Sequence, residues 1–407
     1  MWEPQSEDDL LLAIAEGTLT ESASLDVKAE TGSTDSSRRE TAKDLASFAI
    51  DGGALLIGIA EDKNARAFSL APIPLKDVVE KLEQIAANRI DPPLHVRVRE
   101  IPTDDDAERG YIFVEIPPSA HAPHMVSGIY YARGERTARR LTDAEVVRLH
   151  GLRQRQDQRI RDLLEAEIER DPVPTDRRSR GHLYLVAEPL SAPIGLARDI
   201  ARGRNNTAMF ELRQSSEPHI TRDIRDFAPE PSSAGHWSRR ARGGAFTTLN
   251  GGGRSLGREQ KEELLVDLEL EEDGGIRVVV GRMTGKWGQD SDDLVILDGL
   301  AVAYCLRLAY WARELSLRTG YRGAWAFGVA ATGLSGLSSA VYRQNWSIGS
   351  PTSYDRGRYI SATSAHCSEL DNTPSAIAER LIGGLLRGLG TDGHYRNHFP
   401  EQVTAEV

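Results

Sequence analysis

The sequence predicts an α+β protein in two parts, an N-terminal mixed sheet with packed helices and then a second α+β domain with a long buried helix. Three observations predict this. The chain has 407 residues, more than a single core at roughly 150 residues per domain. From about residue 5 to 150, short helical and strand-like patterns alternate. Beyond residue 181, strand patterns come first and long apolar helices later, as in an α+β domain.

Taken in order, Asp8 to Glu16 has a short helical pattern, and Leu25 to Ala29 alternates apolar and polar as a half-buried strand does. Residues 31–39, TGSTDSSRR, read as a polar loop without an apolar anchor. Glu40 to Ile50 then puts Ala42, Leu45, Ala46 and Ala49 on one helical face. Asp51-Gly52-Gly53 breaks that helix, and Ala54 to Ala60 is a continuous apolar run suited to a central strand. A second amphipathic helix is expected over Leu75 to Ile90, and strands over Leu94 to Ile101, Tyr111 to Ile116 and Ile129 to Arg133. Thr142 with Glu145 forms a capping box opening a long helix toward Arg170. The segment DPVPTDRRSRG, 171–181, is rich in proline and charge and reads as a boundary. The expected organisation is therefore a domain over 1–150, a helical connector and linker over 151–180, and a C-terminal domain over 181–407.

In that last part, strands are expected over His182 to Ala187, Ala208 to Arg213, Ala245 to Leu249, Leu264 to Leu270, Ile276 to Gly281, Gly323 to Ala330 and Arg358 to Thr363. Helices are expected over Leu294 to Leu317 and Pro374 to Leu389, with Pro229 to Gly244 as a long polar loop and Gly251-Gly252-Gly253 as a flexible one.

Composition narrows the classes. Hydrophobic residues make up 40% and charged residues 27%, which excludes collagen-like, disordered and disulfide-scaffold chains. Two cysteines, Cys305 and Cys367, build no disulfide framework and match no zinc spacing, which favours a reducing compartment. The start, MWEPQSEDDLLLAIAEG, has no basic region ahead of its short apolar run, so a secretory signal is not expected. Leu294 to Ala312 is apolar enough to suggest a membrane span, but Asp298 and Arg307 lie deep within it, at high cost in lipid. The expected setting is soluble and cytoplasmic, with no membrane partner.

Lys+Arg number 50 against Asp+Glu 61, a formal net charge of −11. Net acidity weighs against indiscriminate binding to polyanions, although a total averages over patches. From Arg133 to Arg180 there are 13 Arg and 10 acids, so a net +3 stretch sits in a remainder of −14. The acids from Glu259 to Asp273 read as a patch that would repel RNA.

The chemistry centres on Glu21, Asp26 and Lys28. Two residues apart on a strand, Asp26 and Lys28 share a face. A carboxylate beside a lysine suits phosphodiester cleavage, the acid holding a divalent metal and the lysine stabilising charge at phosphorus. Glu21 adds an acid from the entering turn, and Glu61 or Asp62 a third from just past the apolar strand. Such hard oxygen ligands suit Mg²⁺ or Mn²⁺. An ordinary surface ion pair gives the same D-x-K pattern. Lys28, Arg38, Arg39, Arg133 and Arg136 are candidates for phosphate contact, Arg38 and Arg39 from the polar loop. No G-x-x-x-x-G-K-[ST] phosphate loop occurs, so ATP is not expected as a cofactor. His121 with His124 and His394 with His398 have ligand-like spacing but no partnering cysteine or acid at a fixed offset. Trp237 among Arg239, Arg240 and Arg242 could stack on a base or simply pack on a neighbour.

Glu21 with Leu25-Asp26-Val27-Lys28, the helix ending Ser47-Phe48-Ala49, Gly52-Gly53, the strand ending Ile57-Gly58-Ile59, Val114 to Pro118 and Tyr131-Ala132-Arg133-Gly134 together resemble the Schlafen-type AlbA_2 family, over about residues 5–150. The resemblance implies an AlbA_2-like mixed sheet, nucleic-acid binding and, in the Schlafen branch, a metal-dependent endoribonuclease cleaving tRNA or similar structured RNA. It assigns the carboxylate site to Glu21, Asp26 and either Glu61 or Asp62. Asp26 stands where the family has Glu, Ala60 where an acid often follows the strand, and Ile50-Asp51 in place of Asn-Thr. The leading expectation is an Mg²⁺- or Mn²⁺-dependent endoribonuclease in stress response or anti-phage defence. Because one such lobe is too small to enclose an RNA duplex, a homodimer or larger ring is expected. The alternative is a non-catalytic DNA-binding transcriptional regulator. The second domain resembles no named family, and a sensing, docking or oligomerisation role would suit it.

Overall fold

The computed structural model describes residues 2–399 apart from 33, 63–66, 120, 191, 204–206, 226–228, 251–253, 287–292 and 345–350, so the expected loop at Gly251-Gly252-Gly253 lies outside the described residues. The chain divides into two compact units, Met1–Gln154 and Arg155–Val407.

In the first unit the elements run α1 (Glu7–Ala15), β1 (Leu25–Lys28), α2 (Asp35–Phe48), β2 (Gly53–Ile57), β3 (Ile59–Asp62), β4 (Ala67–Leu70) and β5 (Ile73–Pro74). They continue with α3 (Val78–Asn88), β6 (Arg97–Pro102), β7 (Arg109–Ile116), β8 (Met125–Val126), β9 (Ile129–Arg133), β10 (Ala138–Arg140) and the start of α4 (Asp143–Glu169). The main sheet has the order β1-β2-β7-β5, with β6 also on β7. Only β1 and β2 are parallel, with Asp26 opposite Leu55. Strand alternation divides the core. Leu55, Ile57, Ile112 and Val114 face α2 and α3, whereas Ala54, Leu56, Tyr111 and Phe113 join Val27 and the buried Leu10 and Ala13 of α1.

Two expectations change here. The apolar run 54–60 is not one strand, because Gly58 turns at φ 99° and β3 leaves to pair with β4. The segment 31–39 is mostly not a loop. Thr34 caps α2 by accepting from the Ser37 N–H at 3.2 Å, so Arg38 and Arg39 sit in the first turns of a helix. The capping box at α4 forms as read, with the Thr142 N–H donating to Glu145 Oε2 at 2.9 Å.

In the second unit, α4 ends and is followed by β11 (Leu183–Pro189), α5 (Arg198–Arg202), α6 (Thr207–Gln214), α7 (Arg222–Arg225), β12 (His236–Arg240), β13 (Gly243–Thr247), β14 (Val266–Glu271) and β15 (Ile276–Val280). Then come β16 (Thr284–Lys286), β17 (Leu294–Ile296), α8 (Asp298–Thr319), β18 (Ala324–Thr332), α9 (Val341–Gln344), β19 (Arg358–His366), α10 (Cys367–Asn372) and α11 (Pro374–Leu389). Seven antiparallel strands form one sheet in the order β12-β13-β14-β15-β11-β18-β19. The core under α8 and α11 contains Trp311, Leu315, Leu381 and Leu385, and the opposite face packs Tyr184, Val186 and Val279 against Ile160 and Leu164 of α4. That contact explains why the chain divides at 154/155 rather than at the proline-rich 171–181, since the second half of α4 belongs to the later core.

Residues 208–213, expected as a strand, are helical in α6, and the expected loop 229–244 contains the edge strand β12. The first residues of the expected long helix form β17, and the helix begins at Asp298. Its two inner charges are satisfied within the protein. Asp298 accepts from Ser339 and Thr391 at 2.8 Å, and Arg307 pairs with Glu217. Among the described residues no helix is long and apolar enough to cross a membrane. Cys305 and Cys367 are free and buried. His124 is a buried structural histidine, with ring nitrogens 2.6 Å from Pro92 O and 2.7 Å from Ser119 Oγ, and burial lowers its pKa to about 4.

The expected acidic patch over Glu259 to Asp273 is only partly a surface, with Glu259, Glu263, Glu272 and Asp273 reaching solvent. Asp267, Glu269 and Glu271 alternate along β14 and are buried against arginines of neighbouring segments. Cross-strand pairing removes them from the field that an approaching polyanion would meet.

Candidate functional site

The β1–α2–β2 unit builds the site. Asp26 and Lys28 share the face that carries α2, as strand periodicity requires. Asp26 is 3% exposed. Its Oδ1 accepts from an Arg133 Nη at 2.9 Å, and its Oδ2, without a hydrogen bond, lies 3.2 Å from Lys28 Nζ. Lys28 Nζ is equally close, 3.2 Å, to Asp44 Oδ2 on α2. Burial works against the lysine charge, but the Asp44 and Asp26 carboxylates together hold its pKa above the ordinary lysine value. Burial also holds the Asp44 carboxyl above the usual aspartate range, with Lys28 opposing and the charges of Asp26 and Glu40 adding.

Glu21 enters from the turn closed by the Ser22–Leu25 bridge. Burial is the first cause holding its carboxyl above the ordinary glutamate range; the charge of Asp26 adds, the Val27 N–H opposes, and the charge of Glu61 adds again. Glu21, Asp26 and Glu61 are therefore near neighbours. Glu61 and Asp62 are adjacent on β3 and exposed, so their side chains leave opposite faces of the strand. Glu61 is the one whose charge reaches Glu21.

Lys28 and Asp44 also line a cavity of about 460 Å³, with Glu30, Thr34, Ser37 and Thr41 on its other walls. The N-terminal end of α2 opens into it, so backbone N–H groups and hydroxyls stand beside the lysine.

The basic candidates separate. Arg133 is 4% exposed at its side chain, spans Asp26, Ser22 O and Leu25 O, and lies 4.7 Å from the Phe48 ring centroid. It holds the turn and strand in place and is not available to phosphate, contrary to the sequence expectation. Arg38, Arg39 and Arg136 are exposed, Arg39 pairing loosely with Asp35 at 3.8 Å. Sequence reasoning missed Asp44. Helical periodicity puts it opposite the apolar stripe of α2, yet Asp44 to Phe48 are all buried because the C-terminal half of that helix is enclosed on every side.

A hard divalent cation needs several carboxylate oxygens converging on one point. Among the described residues no group of three or more His, Cys, Asp or Glu is arranged to hold a metal ion. Asp26 meanwhile faces Arg133 with one oxygen and Lys28 with the other. The residues as arranged do not fit Mg²⁺ or Mn²⁺, and no step below passes through one.

Residues 21–142 match the family described as Schlafen, AlbA_2. No curated protein matches the chain. Among solved structures, the N-terminal domain of a RecG-related protein from Nitrosomonas europaea is similar at 19% identity and a TM-score of 0.26, over 34% of this chain and 94% of that one. The DIP2311 protein from Corynebacterium diphtheriae is similar at 17% identity and a TM-score of 0.24, over 54% of this chain and 36% of that one. With the parallel β1–β2 pair, the acids at 21, 26 and 61 and the Tyr131 to Gly134 segment in place, residues 21–142 of this chain are a Schlafen-type AlbA_2 domain.

Proposed function

We propose that this chain is an endoribonuclease of the cytoplasm that binds and cleaves tRNA or similar structured RNA at the corner where Glu21, Asp26 and Glu61 meet Lys28. The observation that carries the reading is the placement of crowded carboxyls beside a lysine ammonium that lines a cavity of about 460 Å³ at a helix N-terminus. A phosphate in that cavity meets Lys28, the hydroxyls of Thr34, Ser37 and Thr41, and the α2 amides. Glu21, whose raised proton affinity brings it nearer to working pH, takes the proton of the attacking hydroxyl, and Lys28 favours the charge growing on the phosphoryl oxygens. A second copy of the chain would supply the other wall around an RNA duplex. Stress response or defence against phage is the setting that such an activity suits.

Labelled tRNA incubated with the protein in Mg²⁺, in Mn²⁺ or in EDTA tests this. Cleavage is expected, and Glu21→Gln should slow it about 100-fold or more, as loss of a proton-transfer group does. Cleavage by Glu21→Gln and Lys28→Met as fast as by wild type removes the site assignment. The EDTA arm reports whether a cation takes part. Light scattering in solution measures the expected homodimer or larger ring.

One observation favours a second reading, a non-catalytic DNA-binding transcriptional regulator, because Asp26 is already neutralised by Arg133 and Lys28. That protein would retain duplex DNA with a steep salt dependence, leave RNA intact and be indifferent to Glu21→Gln.

A further inference from the structure

In the second unit, the end of α5 and the hairpin β12–β13 enclose a cavity of about 330 Å³ lined by Ala201, Arg202, Trp237, Arg239, Arg240 and Gly243. Arginines and a tryptophan are among the lining residues, and no acidic residue is. Trp237 and Arg239 are two apart on the edge strand β12 and share a face. The indole is a fixed platform. A Cβ at Gly244 would fall 2.2 Å from the Trp237 ring, so the ring lies directly on bare backbone, and Phe246 meets it edge-on at 5.3 Å. Arg202 is held by Glu272, and Arg240, with its side chain 8% exposed, is held by Asp267 at 2.8 Å. Arg240 stands on the opposite face of β12 and turns to the acids of β14, with Glu269 3.8 Å away. One feature points to a ligand. Arg239 is exposed and has no hydrogen-bond or ion-pair partner among the described residues.

We propose that this cavity is a nucleotide site, in which a nucleobase lies against Trp237 and its phosphate is taken by Arg239, with Arg202 lending positive charge. A volume of about 330 Å³ matches the smaller end of ligand cavities, roughly 300–1,000 Å³, and suits one nucleotide rather than a duplex. The planar guanidinium binds phosphate through paired N–H donors, and an indole face accepts any base. The site needs no phosphate loop and uses none of the residues assigned to RNA cleavage, so it stands or falls independently of that activity. The same chemistry could come from a free mononucleotide or from a nucleotide at an RNA end.

Calorimetric titration of the full chain distinguishes them, with AMP, GMP, a ribotrinucleotide, adenosine and inorganic phosphate as probes. Saturable binding of a mononucleotide identifies a small-molecule effector, and binding of the trinucleotide alone identifies an RNA end; either supports the site if Arg239→Ala weakens it about 10- to 100-fold, the loss of one charge-assisted phosphate contact. Adenosine and inorganic phosphate should each bind more weakly than AMP by about tenfold or more, since each offers half the recognition. Arg239 is exposed, so its substitution leaves the fold intact, which circular dichroism checks. No binding of any nucleotide at millimolar concentration overturns the proposal. So does affinity unchanged in Arg239→Glu, or inorganic phosphate binding as tightly as AMP.

Discussion

On β14 of the second unit, Asp267, Glu269 and Glu271 stand on one side of a strand, as Asp26 and Lys28 do on β1 of the first. Their surroundings differ. Asp267 receives Arg240 at 2.8 Å on one oxygen and Arg254 at 2.9 Å on the other, and Arg277 joins Glu271 at 3.0 Å with Glu188 beside it. There, arginines from adjacent segments pair with the acids and the charge serves the fold, although burial still holds the Glu269 and Glu271 carboxyls above the ordinary glutamate range. In the first unit, Asp26 and Asp44 share Lys28, Arg133 serves Asp26 alone, and Glu21 feels the charges of Asp26 and Glu61 with no cation of its own among its named partners, so Glu21 and Asp44 hold their protons more tightly than usual. Matched burial marks structure, and unmatched crowding marks a place where chemistry is available.

The largest effects should come from breaking the matched sets. Arg277→Met leaves Glu188 with only the exposed Arg159 and Glu271 with only Arg242 at 3.7 Å, and should cost about 3–5 kcal/mol in chemical unfolding of the second unit. Arg133→Met should cost the first unit a similar roughly 3–5 kcal/mol, recovered in part by adding Asp26→Asn, because Arg133 belongs with structure although it touches the site. If Arg133→Met instead unfolds like wild type but fails to bind RNA, Arg133 is a phosphate ligand and this contrast is misdrawn.

Next in size, Lys28→Met should slow cleavage about 100-fold and also lower the unfolding midpoint, because it leaves the buried Asp44 carboxyl without its cation; Lys28→Arg, which keeps the charge, should recover the midpoint more than the rate. Rates and melting curves on the same preparation separate the two outcomes.

The pH dependence should have opposite signs at Glu262 and at Asp44. Glu262 lies against His182 and Ser179, and although burial opposes its charge, those partners pull its pKa down to about 2. Its contribution is present above pH about 4.5, the unfolded value, and is lost as pH falls toward about 2. Asp44 is shifted upward by burial, so its contribution is present below its unfolded value of 3.8 and is lost as pH rises through the raised value. His182 also loses stabilisation on the alkaline side. Burial opposes its charge, but Asp171 at 2.7 Å and Glu262 at 2.9 Å hold its pKa above 6.5, and the gain disappears as pH rises past that folded value. Unfolding of Asp44→Asn, Glu262→Gln and His182→Gln across pH 3–9 measures each sign; a matching sign for Glu262 and Asp44 would contradict the burial argument.

The smallest effects belong to Arg38, Arg39 and Arg136. Each Ala substitution should change stability by no more than about 0.5 kcal/mol. Each should reduce the slope of log affinity for RNA against log salt by about 1 if that residue contacts phosphate.

What the sequence revealed was mostly what short-range periodicity controls. The shared face of Asp26 and Lys28, the capping box at Thr142 and the helix over Pro374–Leu389 all follow from spacing alone. The errors came where long-range packing decides. The apolar residues of 208–213 fit either period, and packing under α8 selects helix. Residues 236–240 look like loop because they are polar, but an edge strand can be polar on its open side. At the site, Asp44 and the fate of Arg133 were hidden because both depend on partners far away in sequence, Lys28 and Asp26. That the Glu61 charge is the one acting on Glu21 depends on the position of β3, which no local pattern fixes.

Gly58 gives the arrangement one last consequence. Its φ of 99° releases the chain from the parallel ladder, and a Cβ there would fall 2.9 Å from Tyr111 Cδ1. Glu61 lies three residues downstream of a joint that tolerates no side chain. If Glu21, Asp26 and Glu61 act as proposed, a genetic screen for lost function would recover Gly58 alongside them, and a geneticist reading only the phenotype would take a hinge for a reactant.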